Sequence, residues 1–73
     1  MPHFMVDEPN FHAFHREWKR IGREWRSGLT IEMAQTPGML DAIRLGIDSA
    51  RAELCEQMRA IAQHCPGPYL VSV

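Results

Sequence analysis

No apolar run in this chain approaches the roughly 18–20 residues that a helix needs to cross a bilayer. The N-terminus shows no basic start, apolar stretch and small-residue cleavage site of the kind that directs secretion. Cysteine is scarce. Cys55 and Cys65 are too few for the disulfide framework of a small secreted domain. Phosphate cradles of the types G-x-x-x-x-G-K and G-x-G-x-x-G are missing, and so is any paired C-x-x-C. These absences predict a soluble cytoplasmic protein with no membrane association and no cofactor. Length is also lacking. A chain of 73 residues has room for one domain, 1–73, and buries only about 60% of its extended surface. Small scaffolds of this kind usually need a staple, and with disulfides excluded the natural one is a second copy.

What is present is helical periodicity. Asp7-Glu8-Pro9-Asn10 combines acids, a first-turn proline and cap-type side chains, and Gly28 offers a left-handed stop, so a helix is predicted over about 9–27. Within it Phe11, Phe14, Trp18, Ile21 and Trp25 recur at the spacing of one helix face. The basic residues Arg16, Lys19, Arg20, Arg23 and Arg26 fall opposite, against Glu17 and Glu24. The phrase Arg-Glu-Trp at 16–18 and 23–25 reflects this periodicity and does not mark a domain repeat.

A second, longer helix is predicted over about 37–64, with Thr36 as cap, Pro37 in the first position and Cys65-Pro66-Gly67-Pro68 as the stop. Its main apolar stripe is Leu40, Ile43, Ile47, Ala50, Leu54, Met58 and Ile61, and a weaker one runs through Leu45, Ala52 and Cys55. The charges of Asp41/Arg44, Arg44/Asp48, Asp48/Arg51 and Glu56/Arg59 sit three or four apart and are expected to dress the solvent side. Residues 29–36 read as a connector, either strand-like through Leu29, Ile31 and Met33 or a single helical turn capped by Thr30. Residues 1–8 and 66–73 read as flexible or partner-facing tails.

The fold expected is therefore all-α: a two-helix αα-hairpin that dimerises into a four-helix arrangement. The longer helix outruns the shorter one. The line Ala42, Gly46, Ala50 invites close approach of another helix, and the dimer seam is placed at Ile43, Ile47, Ala50 and Leu54.

Chemical constellations are sparse. His12, His15, His64 and Cys65 would converge only where the start of the first helix meets the end of the second, and no zinc spacing is present, so no metal ligands are assigned. Cys55, Cys65 and Ser49 lack a nucleophile turn and an orienting third group, so no catalytic residue is assigned either. A helix-turn-helix over Thr30–Ser49 fails because Pro37 interrupts its first helix and Leu40-Asp41-Ala42-Ile43 is a poor reader of bases. The function expected is that of a small regulatory protein and homodimer. It would bind, and inhibit, a larger protein such as a transcription regulator or nuclease, through Phe4, Met5, Ile31, Met33, Tyr69 and Leu70. The alternative is a nucleic-acid-associated dimer using the basic face Arg16 to Arg26.

Overall fold

The computed structural model describes residues 3–72, and within them the chain is mostly helical. Helix α1 spans Glu8–Ser27. Asp7 caps it: the carboxylate accepts from the Asn10 backbone N–H at 3.1 Å and from Asn10 Nδ2 at 2.7 Å. Helix α2 is the single turn Ile31–Gln35, capped by Thr30, whose hydroxyl oxygen accepts from the Met33 N–H at 3.1 Å. Helix α3 runs Met39–His64. Its end lies at Cys65, whose N–H donates to the Ile61 carbonyl at 2.7 Å before Pro66 and Pro68 forbid continuation.

Two helix-boundary expectations need correction. Gly28 is not left-handed: it sits at φ −94°, ψ 4°, and the chain turns there through Leu29 N–H donating to the Arg26 carbonyl at 3.1 Å. Thr36 does not cap the long helix. The proline after it keeps Thr36 extended, at ψ 126°, and its hydroxyl donates back to the Glu32 carbonyl at 2.9 Å, ending α2. Gly38 makes the reversal into α3, at φ 81°, a conformation that a side chain would strain.

The larger difference lies at the chain ends. His3–Val6 (β1) and Tyr69–Ser72 (β2) are not loose tails but pair as a two-stranded antiparallel ribbon, Phe4 opposite Val71 and Val6 opposite Tyr69. Residues 1, 2 and 73 lie outside the described residues. Strand alternation turns Phe4, Val6 and Val71 inward, at 6, 0 and 0% exposure, and leaves the pair Met5 and Leu70 outside. Burying three such side chains contributes about 1.5–3 kcal/mol each.

α1 and α3 lie antiparallel: Trp25 of α1 meets Gly46, while Trp18 and Gly22 meet Arg51 one turn further along α3. The ribbon covers the other end, where Tyr69 lies 5.2 Å from Phe11, ring to ring. The core is a single column of Phe14 and Ile21 from α1, Ile47, Leu54 and Met58 from α3, and the inward ribbon residues. The four residues expected at the dimer seam pack within one chain. Ile47 and Leu54 are buried within one chain, and Ile43 and Ala50 lie half-buried against the same core. Periodicity marked the buried side of α3 but not what buries it. At Gly46 the close approach is made within the same chain: a Cβ there would meet the Trp25 ring.

Candidate functional site

The partner-facing residues expected from the sequence divide between the two ends of a molecule 45 Å long. At the ribbon end, Phe4 is withdrawn into the core, Met5 and Leu70 are half-exposed, and Tyr69 leans on Phe11. At the opposite end, where α2 joins the two long helices, Ile31 is 80% exposed and Met33 is half-buried. Met33 shares an open groove of about 610 Å³ with Trp25, Leu29, Met39, Ala42 and Ile43. Trp25, which lines it, is 46% exposed; Leu40, which lines the neighbouring groove with Leu29 and Ile43, and Leu45 are 52 and 68% exposed. Trp25 and Leu40 were read from the sequence as core. Their periodicity assigned them to apolar stripes, but α1 stops at Ser27 and α2 is too short to cover the start of α3.

The basic face of α1 is exposed along its length, from Arg16 through Lys19, Arg20 and Arg23 to Arg26. Arg20 is already engaged, with Glu17 on one side and Glu24 on the other. The hydrogen bond from Arg20 holds the Glu17 carboxyl below its ordinary value, and Glu17 in turn raises Arg20. Among the described residues the other four have no carboxylate within 4.0 Å. On α3 the expected ladder of ion pairs is reduced to Glu56 with Arg59 at 3.5 Å.

Arg51 departs furthest from expectation. Instead of pairing with Asp48 in solvent it reaches across to α1, where Nη2 donates to the Trp18 carbonyl at 3.0 Å and the guanidinium stacks 4.5 Å over the Trp18 ring. Gly22 makes room for it: a Cβ there would meet Arg51 Nη2 at 2.8 Å and Arg26 Nη1 at 3.2 Å. Nothing in the local sequence distinguishes Arg51 from a solvated helix arginine. The signal was the glycine, one turn before Arg26 on the same helix.

The remaining titratable groups are scattered. His12 is exposed and 3.4 Å from Glu8. His15 stands edge-on to Phe11 and Phe14, with both ring nitrogens shielded and unpaired. His64 and Cys65 are exposed at the end of α3. Among the described residues, no three His, Cys, Asp or Glu side chains come together as metal ligands would. Cys55 and Cys65 are free thiols. Ten residues of helix separate them by about 15 Å, beyond the reach of a disulfide.

Burial pushes the Cys55 thiol up, Glu56 adds to the rise and Arg59 partly offsets it. Less thiolate at a given pH means slower alkylation. Iodoacetamide near pH 8 should therefore mark exposed Cys65 before Cys55 in a time course read by peptide mass spectrometry. Equal rates would show that Cys55 is not shielded.

No helix among the described residues is long and apolar enough to cross a membrane. No protein-family model, curated protein or solved structure matches the chain.

Proposed function

We propose that this chain is a small non-enzymatic regulatory protein of the cytoplasm that acts as a homodimer and inhibits a larger protein by covering part of its surface. The observation that carries the reading is the apolar end: Trp25, Leu29, Met33 and Met39 line one open groove with Ala42 and Ile43, Trp25 is 46% exposed there, and Ile31, on the same short helix as Met33, is 80% exposed. An open apolar groove with a half-exposed tryptophan at its side is a feature of protein interfaces. With Ile47 and Leu54 occupied inside the chain, the surface that would join two copies is the outer side of α3, where Leu45 and Ala52 are exposed and Cys55 is half-buried. Two antiparallel helix pairs meeting there would make the four-helix arrangement, with Ile31 and Met33 left to a partner such as a transcription regulator or a nuclease.

Assembly and partner binding are tested separately. Sedimentation equilibrium at micromolar concentration should give about twice the 8.4 kDa chain mass, and Leu45→Asp should return it to one chain mass with helical circular dichroism intact. A wild-type monomer would remove the dimer. For the partner, proteins captured from a native lysate should be lost with Ile31→Asp and kept when Arg20 and Arg23 are both changed to Glu. Loss with the arginine changes alone would remove the protein-partner reading.

One observation favours the second reading, a nucleic-acid-associated dimer: Arg16, Lys19, Arg23 and Arg26 present cationic groups without carboxylate partners among the described residues. Phosphate contacts lose affinity steeply with salt. A generic duplex that fails to bind at about 50 mM salt disposes of this reading.

A further inference from the structure

Three arginines line one groove between the end of α1 and the first half of α3: Arg26, Arg44 and Arg51. The groove holds about 310 Å³, and its apolar lining is Leu29, Leu40, Ile43 and Ile47. Two of the guanidiniums share the space over Gly22, at 2.8 and 3.2 Å from the place of a Cβ. Like charges do not gather over one residue without an anion or open water to offset them. Among the described residues no carboxylate lies within 4.0 Å of any of the three. Arg51 is moreover fixed in place, by the Trp18 carbonyl and ring, and its Nε is shielded from solvent with no acceptor. An immobilised guanidinium loses less freedom on binding than a free one, and with Nε shielded and Nη2 donating to Trp18 it is Nη1 and the second Nη2 hydrogen that remain for an anion.

We infer that this groove is a binding site for an acidic side chain carried next to an aliphatic one, on a peptide segment of the protein partner. The inference rests on the protein-partner reading above. The carboxylate sits between Arg26 and Arg51, with Arg44 at the rim, and the aliphatic neighbour covers Leu29, Leu40 and Ile43. A nucleic-acid backbone fits less well. Its sugars and phosphates would leave that apolar lining uncovered, and Asp48, which lines the same groove, repels a run of phosphates more than a single carboxylate. The site continues the apolar end, because Leu29 and Ile43 also line the groove beside Met33. A partner segment that engages one reaches the other.

The test is a chemical-shift titration of the isotope-labelled protein with an acetylated, amidated Leu-Glu-Leu peptide. The same sequence with Gln in place of Glu, inorganic phosphate and a short duplex serve as the other arms. We expect saturable shifts at Gly22, Ile43 and Ile47 with the Glu peptide, at least about tenfold weaker with the Gln peptide. Arg26→Gln, on the exposed surface, should weaken the Glu peptide by a similar factor and leave the spectrum otherwise folded. Arg51→Gln should do the same, and if it disturbs Trp18 the Arg26 variant decides. No binding by the Glu peptide, equal binding of the Gln peptide, or preference for phosphate or duplex would overturn the site. Ile31→Asp separates the two readings. Peptide binding that survives in it while lysate capture is lost supports both. Capture that depends on Ile31 without any peptide binding ends this inference alone, and peptide binding without any Ile31-dependent capture ends the protein-partner reading alone.

Discussion

Ile47→Asp should abolish folding at every concentration, with the helical circular dichroism lost at micromolar protein and not recovered at a hundredfold more. Ile47 is 5% exposed and packs in the column formed by Ile21, Leu54 and Met58 of its own chain. Ile47 also borders the groove of Arg26, Arg44 and Arg51, so a carboxylate there can draw toward a guanidinium, but doing so removes the apolar contacts of Ile47 from the column and costs several kcal/mol. Natural domains are stable by roughly 0.05–0.15 kcal/mol per residue, which leaves a chain of this length too little margin to absorb it. Leu45→Asp, two residues away on the same helix but 68% exposed, should keep its helices. The contrast separates the interior of one chain from the surface proposed to join two. Concentration does not rescue the first variant, because the contact broken is intramolecular. An Ile47→Asp protein that melts like its parent would mean that α3 faces α1 in another register.

The side of α3 that is buried was legible because helical periodicity is a local property, carried by Ile43, Ile47, Leu54 and Met58 themselves. What covers that side was not, since α1 of the same chain and a helix of a second copy present the same pattern. The cap-type side chains of Asp7-Glu8-Pro9-Asn10 marked the start of α1, and Thr30 was legible as a cap beside the strand alternative, because a cap acts within three residues. Thr36 misled for a related reason: Thr-Pro suits a helix start equally well whether or not the threonine hydroxyl is already donating to Glu32. The ribbon was out of reach. His3–Val6 and Tyr69–Ser72 are short, carry no turn between them, and pair only because α1 and α3 return the two ends of the chain to one place. Of the candidate site, the basic face was legible from spacing, and Ile31 was named only because it lies outside the two long helices. Trp25 and Leu40 were not legible, since their exposure depends on where α1 stops. Arg51 was least legible of all: its partners, the Trp18 carbonyl and ring, are 33 residues away and come together only in the folded chain.

Gly67→Ala should be among the most damaging single methyl groups that can be added to this protein. The left-handed region is not the reason, for Gly38 is the glycine with positive φ. The reason is contact. A Cβ on Gly67 would lie 2.5 Å from the Asp7 Cα, the Asp7 nitrogen and the Val6 oxygen. All three are main-chain atoms at the junction of β1 and α1, and main chain cannot rotate aside as a side chain does. At Gly46 the equally close contact is with the Trp25 ring, 46% exposed and free to swing outward. Gly46→Ala should accordingly cost within about 1 kcal/mol, since the helix gains what the packing loses, and should report itself as a red shift in tryptophan fluorescence. At Gly67 the strand must move instead. Displacing residues 66–68 pulls Tyr69 from Val6 and Val71 from Phe4, and wets three side chains that are now at most 6% exposed. Overpacking alone costs about 1–3 kcal/mol, and each apolar side chain uncovered adds to it. A loss on the order of 3 kcal/mol follows, which lowers the melting temperature by roughly 12–24 °C for a domain of this size. The amide resonances of Phe4 and Val71 should lose their protection first, with the α1–α3 contact around Ile47 persisting longer. A Gly67→Ala protein with the parent's melting temperature and an intact ribbon would show that the chain passes Asp7 at a greater distance, and that Pro66 and Pro68 alone direct β2 to its partner.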